Sequence, residues 1–317
     1  MGSPYGRATA IVGRSYEQSC SAGEQAETLL TSSGIDYEIL RARHSGDASE
    51  LARAALAQGS GFIVAFGDDK TVHHVVNGFM EERGPVNPDL VLGVVPTPGG
   101  SDFLRTFGLS APPADAVRRL SGEAFFAVDV VRVNWTASKD LPAGATPAGG
   151  EHRSPSRYCI NMAQVGLGAE VVRRAGRLPQ KIGRVANLLG FWATLASFKT
   201  QTGKVTMGRR TYRGEVTNII VGNGQFYRDG IRMAVKAHPS DGKLDVLIHK
   251  GSKRGYVETM TKSFRGEHLP SPLIKEYLAP RVEVEASKPL PVEGDGMFLG
   301  YTPANFEIVR NAYRLKI

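Results

Sequence analysis

Apolar and polar positions divide the chain into two halves of different rhythm. Over the first 120 residues, short β-rich runs at 8–12, 37–40, 62–66 and 90–95 alternate with helical patterns near 23–30, 48–57, 71–80 and 114–120. Strands separated by helices predict a parallel sheet covered by helices. Ligands of such sheets bind beyond the carboxyl ends of the strands, so the loops after Phe66 and Val95 are where chemistry is to be sought. After about Gly122 the rhythm changes to longer alternating segments at 125–133, 158–165, 215–221, 244–249 and 281–285, which predict an antiparallel β-sandwich. Between them, residues 137–156 hold Pro142, Pro147, Pro155 and a Gly149-Gly150 pair with no apolar period, and read as a mobile insertion. The expected fold class is α/β: an N-terminal α/β domain with a parallel sheet at 1–122, then a C-terminal, mostly antiparallel β-sandwich domain at 123–304.

Composition narrows the picture only a little. At 317 residues, 41% hydrophobic and 22% charged, the chain has ample material for a core, which excludes a disordered segment or a small stapled scaffold. The net charge of +8 suits a nucleotide, an anionic membrane surface or nucleic acid. The basic residues are spread without an interleaved aromatic motif, which argues against nucleic acid. Cys20 and Cys159 stand alone, with neither zinc spacing nor a disulfide framework, and a reducing cytoplasm fits them best. The opening residues lack the basic start and apolar stretch of a secretory signal. The most apolar long stretch, 185–198, is interrupted by Asn187 and falls short of the ~20 residues of a bilayer span. Its Val185, Leu188, Leu189, Trp192, Leu195 and Phe198 recur at helical spacing behind Arg173, Arg174, Arg177, Lys181 and Arg184. That pattern fits a core helix with solvated arginines, or a basic, apolar mouth that meets a membrane or a long-chain substrate.

Two loops carry the candidate chemistry. Gly67-Asp68-Asp69-Lys70-Thr71 joins a buried strand to a helix, a geometry whose free N–H groups and dipole favour an anion. Ordinary capping by Asp69 or Thr71 would use the same residues without a ligand. Pro96-Thr97-Pro98-Gly99-Gly100-Ser101-Asp102-Phe103 follows the next strand. Gly99 and Gly100 permit close backbone approach there, and Ser101 and Asp102 can bond a ribose, a phosphate or the helix they open.

Residues 64–78, VAFGDDKTVHHVVNG, resemble the GGDGT loop and following helix of the diacylglycerol kinase and sphingosine kinase superfamily. Pro98-Gly99-Gly100-Ser101-Asp102 is similar to that family's GTGND loop. Val221-Gly222-Asn223-Gly224 resembles its VGNG segment, residues 240–246 its DGxLDV segment, and Pro289-Leu290-Pro291-Val292 with Asp295-Gly296 its PLPVxxDGE stretch. Five segments in order are far more specific than any one alone. The resemblance implies a nucleotide-type first domain, a lipid domain after it, and a last strand at about 305–317 that returns to the first. It further implies phosphoryl transfer from ATP with Mg²⁺ to the hydroxyl of a lipid or other hydrophobic alcohol. Peripheral membrane contact and a homodimer are compatible with the chain. Carried onto this chain, the resemblance places Gly67, Asp68, Asp69, Lys70, Thr71, Gly99, Gly100, Ser101 and Asp102 around the nucleotide, Asp241 at a structural metal, and Asp295 and Asp69 at the acceptor hydroxyl.

The departures lie mostly on the nucleotide side. Asp68 and Lys70 replace two glycines, an exchange that leaves net charge unchanged while putting a carboxylate beside the expected triphosphate. Pro98, Gly99 and Ser101 replace Gly, Thr and Asn, and Met297 replaces the Glu of DGE. His74 stands for a Glu, and its neighbour His73 points to another helix face, which predicts no metal pair and at least one exposed ring. The first strand ends in Val12-Gly13-Arg14-Ser15, without the family's Asn-Pro turn. These changes keep a second reading open: a repurposed kinase fold that no longer uses ATP and binds, cyclises or rearranges a hydrophobic small molecule with its polar residues as acid and base.

Overall fold

The computed structural model describes residues 4–21, 25–44, 46–136, 155–177, 183–228 and 230–317, with backbone alone for 183–189. Most of the expected insertion, 137–154, therefore lies outside the described residues, as do Lys181 and the side chains of Arg184, Val185, Leu188 and Leu189. The chain forms two compact units: Met1–Val130 with Pro239–Asp241 and Val309–Ile317, and Val131–His238 with Gly242–Ile308.

The first unit is built from β1 (Ala8–Val12), α1 (Arg14–Ser19), α2 (Ala26–Ser33), β2 (Tyr37–Arg41), α3 (Asp47–Ala57), β3 (Phe62–Gly67), α4 (Asp69–Gly78), the short hairpin β4 (Met80–Glu81) and β5 (Gly84–Pro85), β6 (Val91–Pro96), α5 (Asp102–Thr106), α6 (Pro113–Arg119) and the start of β7 (Phe125–Thr136). Its sheet is parallel: β2, β1, β3 and β6 lie side by side, with Ile63 opposite Leu92 and Ala10 opposite Val64. β1, β3 and β6 are buried along their whole length, as expected of strands covered on both faces.

The second unit continues β7 and adds β8 (Ser156–Cys159), β9 (Met162–Gly166), α7 (Leu167–Ala175), α8 (Gly183–Ser197), β10 (Gln201–Met207), β11 (Arg210–Val216), β12 (Asn218–Gly222), the small hairpin β13 (Phe226–Tyr227) and β14 (Ile231–Arg232), β15 (Leu244–His249), α9 (Lys253–Ser263), β16 (Ile274–Ala279), β17 (Arg281–Ala286), β18 (Pro291–Gly294) and the first part of β19 (Met297–Lys316). Its pairings are antiparallel, in the order β16, β15, β12, β9, β18, β19, with β10 between β11 and β17. A large apolar cluster, including Val165, Val221, Val246, Val284 and Phe306, fills this unit. The last residues of β19 lie in the first unit, where Arg314 and Leu315 pair in parallel with Val91 and Leu92 of β6.

Neither cysteine is in a disulfide; Cys159 is buried and Cys20 half-buried. Among the described residues no helix is long and apolar enough to cross a membrane.

Candidate functional site

Strands β3 and β6 are neighbours, so the loops that follow them emerge side by side at one sheet edge. The first opens α4. Asp68 is its N-cap: Oδ1 accepts the Thr71 N–H at 3.0 Å and the Thr71 hydroxyl at 2.9 Å. Thr71 is buried, and it fits because the two residues facing it are glycines. A Cβ on Gly67 or on Gly13 would come to 2.4 Å from the Thr71 side chain. Of the first three amides of α4, that of Thr71 is thus taken, while those of Asp69 and Lys70 have no partner among the described residues. Lys70 itself is exposed.

The second loop turns at Gly100, whose φ of 87° lies in the left-handed region, and opens α5. Every amide at the start of α5 is used internally. Ser101 Oγ accepts the Leu104 N–H at 3.1 Å, and the Asp69 carboxylate accepts the Asp102 N–H at 2.9 Å and the Phe103 N–H at 3.4 Å. Ser101 also donates its hydroxyl to Asp69 Oδ1 at 2.5 Å. Asp69 therefore joins the two loops. Asp102 turns aside to an ion pair with Arg105 at 2.9 Å. Burial, with the nearby Asp102 charge adding to it, raises the Asp69 pKa to about 6 against the opposing bonds from Ser101 and the two amides. A carboxylate at that value exchanges its proton near neutral pH.

The capping alternative was legible in the sequence, but its residues were exchanged. Asp68 caps α4 where Asp69 or Thr71 was expected, and Asp69 reaches across to α5. His73 is buried and His74 half-buried, their rings edge to face 5.4 Å apart, so neither is the exposed ring the pattern predicted.

In the second unit, Asp295 and Gly296 form a two-residue hairpin between β18 and β19, with φ of 48° and 79°. Asp-Gly is the dipeptide such a turn selects, because both positions need left-handed backbone. The Asp295 carboxylate accepts three backbone N–H groups, from Ile160 at 2.8 Å and from Asn161 and Met162 at 3.0 Å each. Three of its roughly four acceptor sites are thereby filled, and Asp295 anchors the entry to β9.

Beside this hairpin stands Glu293, which the sequence reading passed over. It is fully buried, and one oxygen accepts the Gly296 N–H at 2.8 Å. Burial, reinforced by the Asp295 charge, pushes its pKa up to about 8 against the pull of Gly296 and Arg228. The Tyr227 hydroxyl is held well above its ordinary value by burial and by Glu293. No local pattern marked Glu293, because all four residues of β18 are buried and its strand shows no alternation.

Asp241 lies exposed in a turn of the first unit, and among the described residues no group of three or more His, Cys, Asp or Glu could hold a metal ion.

Two family models match the chain in tandem. The diacylglycerol kinase catalytic domain covers residues 15–133, and the YegS C-terminal NAD kinase beta sandwich-like domain covers residues 161–317. The chain belongs to the diacylglycerol kinase superfamily. Among curated relatives, a diacylglycerol kinase of Bacillus subtilis is 26% identical over 272 residues, 85% of this chain and 81% of that protein. One from Staphylococcus carnosus is 24% identical over 279 residues, 87% of this chain and 83% of the relative. The fold is that of a crystal structure described as a diacylglycerol kinase of Bacillus anthracis, with a TM-score of 0.67 at 19% identity over 99% of this chain and 97% of that one. As a superfamily member the chain is diacylglycerol kinase-like.

Proposed function

We propose that the protein is a lipid kinase of the diacylglycerol kinase type, transferring a phosphoryl group from ATP to the hydroxyl of a lipid or other hydrophobic alcohol. The observation that carries this reading is the open start of α4. The amides of Asp69 and Lys70, without partners among the described residues, lie at the carboxyl edge of the sheet beside the exposed Lys70 ammonium, a combination suited to phosphate. Phosphoryl transfer asks the protein mainly to position and neutralise its reactants. In this reading Lys70 and the first turn of α4 hold the phosphates, Gly67 makes room for Thr71 behind that turn, Gly100 gives close backbone approach, and Asp69 takes the acceptor proton. Asp295 acts by fixing the segment Ile160, Asn161 and Met162.

A second reading is favoured by Asp68 and Asp69, whose carboxylates already occupy amides at the starts of α4 and α5. Two carboxylates repel a triphosphate. A chain that has given up ATP would use Asp69, near pKa 6, as acid or base on a bound hydrophobic molecule.

Incubation with labelled ATP, Mg²⁺ and a panel of diacylglycerols, sphingoid bases and prenyl alcohols tests the first reading directly. Transfer to a lipid is expected, with a rate that rises as pH increases through about 6 as Asp69 loses its proton. Absence of transfer to every lipid, together with no thermal shift from MgATP, would give the second reading the field.

A further inference from the structure

The second unit carries an open groove that the candidate site does not use. Trp192 and Leu195 of α8 form one wall, Lys253, Arg254, Val257 and Glu258 of α9 the other, and the space between is about 520 Å³. Leu195 is buried in it, while Trp192 is 50% exposed, one of the most exposed large apolar side chains described. Ala193 and Ala196 lie exposed on the same helix, so its outer face over residues 190–197 is aromatic and small rather than charged. Cations surround its end. Lys253 Nζ donates to the Ala196 carbonyl at 2.7 Å, Arg174, itself ion-paired with Glu170 at 2.7 Å, donates to Ser197 Oγ at 2.8 Å, and Lys199 and Arg254 are exposed. The carboxylate on the rim, Glu258, is ion-paired with Lys262 at 2.7 Å.

An indole half out of water above an apolar floor, ringed by cations, matches the boundary between lipid headgroups and acyl chains. An anionic leaflet attracts each nearby Lys or Arg, and the chain's net charge of +8 acts in the same direction. A single small ligand would instead call for an enclosing pocket, and this groove is open. We propose that the α8–α9 groove docks the protein on an anionic phospholipid surface, with Trp192 entering the interface and Arg254 and Lys253 meeting phosphate groups. The proposal rests on the lipid-acceptor part of the reading above.

Sedimentation with vesicles tests it, using phosphatidylcholine alone and phosphatidylcholine mixed with phosphatidylglycerol. The protein is expected to sediment with the mixed vesicles and to remain free of the neutral ones. Arg254→Ala should weaken partitioning about fivefold, and Trp192→Ser by a comparable factor. Leu278→Ser, at a residue 54% exposed on β16, should bind as the parent does. The chain has two tryptophans, and Trp135 is 9% exposed, so a blue shift of emission that Trp192→Phe abolishes reports entry of this side chain. Failure to bind the mixed vesicles, equal binding to neutral ones, or undiminished binding by the Trp192→Ser, Arg254→Ala double variant would overturn the proposal. All arms run without ATP or turnover. Loss of docking therefore leaves phosphoryl transfer to be judged separately, and loss of transfer leaves docking standing.

Discussion

At the scale of single residues, Glu293 and Asp69 are carboxylates whose protons are retained well beyond the ordinary range. Glu293 has its folded pKa at about 8 against 4.5 for the free side chain, chiefly through burial. Because the folded form binds the proton more tightly, its contribution to stability is fully present below about 4.5 and is lost as pH rises toward 8. Glu293→Gln removes that dependence. Melting temperatures across this interval should fall less steeply for the variant than for the parent, with the variant gaining most near pH 8. Asp69 affects both proteins alike, so the difference between the curves isolates Glu293. Parallel curves would mean that Glu293 is ionised in the fold. Asp295 behaves differently, as an acceptor for three buried amides. Asp295→Ala leaves those amides without partners and should lower stability by about 3–5 kcal/mol in denaturant melts, and Asp295→Asn, which keeps one acceptor, by less. A pair of variants that lost activity while keeping full stability would instead mark Asp295 as a group acting in the chemistry.

At the scale of elements, the parallel strands were legible almost to the residue. Expected runs at 8–12 and 62–66 appear as Ala8–Val12 and Phe62–Gly67, because strands buried on both faces are written as unbroken apolar sequence. The short helices were harder. Arg14–Ser19 has one buried residue, Tyr16, too few to produce a period. The loops were legible as candidates but their bonding was not, since which of two adjacent aspartates caps which helix depends on strand neighbours distant in sequence. Asp69 and Ser101 are 32 positions apart and meet only because β3 and β6 pair. This arrangement makes Asp68 separable from the rest. Asp68→Gly gives up the N-cap of α4, a loss of a few tenths of a kcal/mol up to about 1 kcal/mol, and removes a carboxylate from the phosphate end. Calorimetry should therefore show tighter MgATP binding in a slightly less stable protein. Unchanged or weaker affinity would show that the Asp68 carboxylate does not oppose the nucleotide.

At the scale of the whole molecule, unit boundaries and chain order do not coincide. The first unit includes Val309–Ile317, where Ala312, Tyr313 and Leu315 are buried, the Tyr313 ring meets Phe79 edge to face at 5.5 Å, and Asn311 N–H donates to Asp129 Oδ1 at 2.8 Å. Removing residues 309–317 exposes the β6 edge and empties that part of the core. The shortened chain should lose the protease resistance of the first unit, measured by the appearance of early cleavage within residues 4–130. An unaltered digestion pattern would show that the final segment is dispensable to it.

The 20-residue strand β19 has a consequence for biosynthesis. A ribosome delivers the first 130 residues long before the segment that completes their sheet, so the N-terminal unit emerges with β6 lacking its β19 neighbour and must wait until residues 309–317 have been made. During that interval an exposed strand edge has to be shielded from other nascent chains.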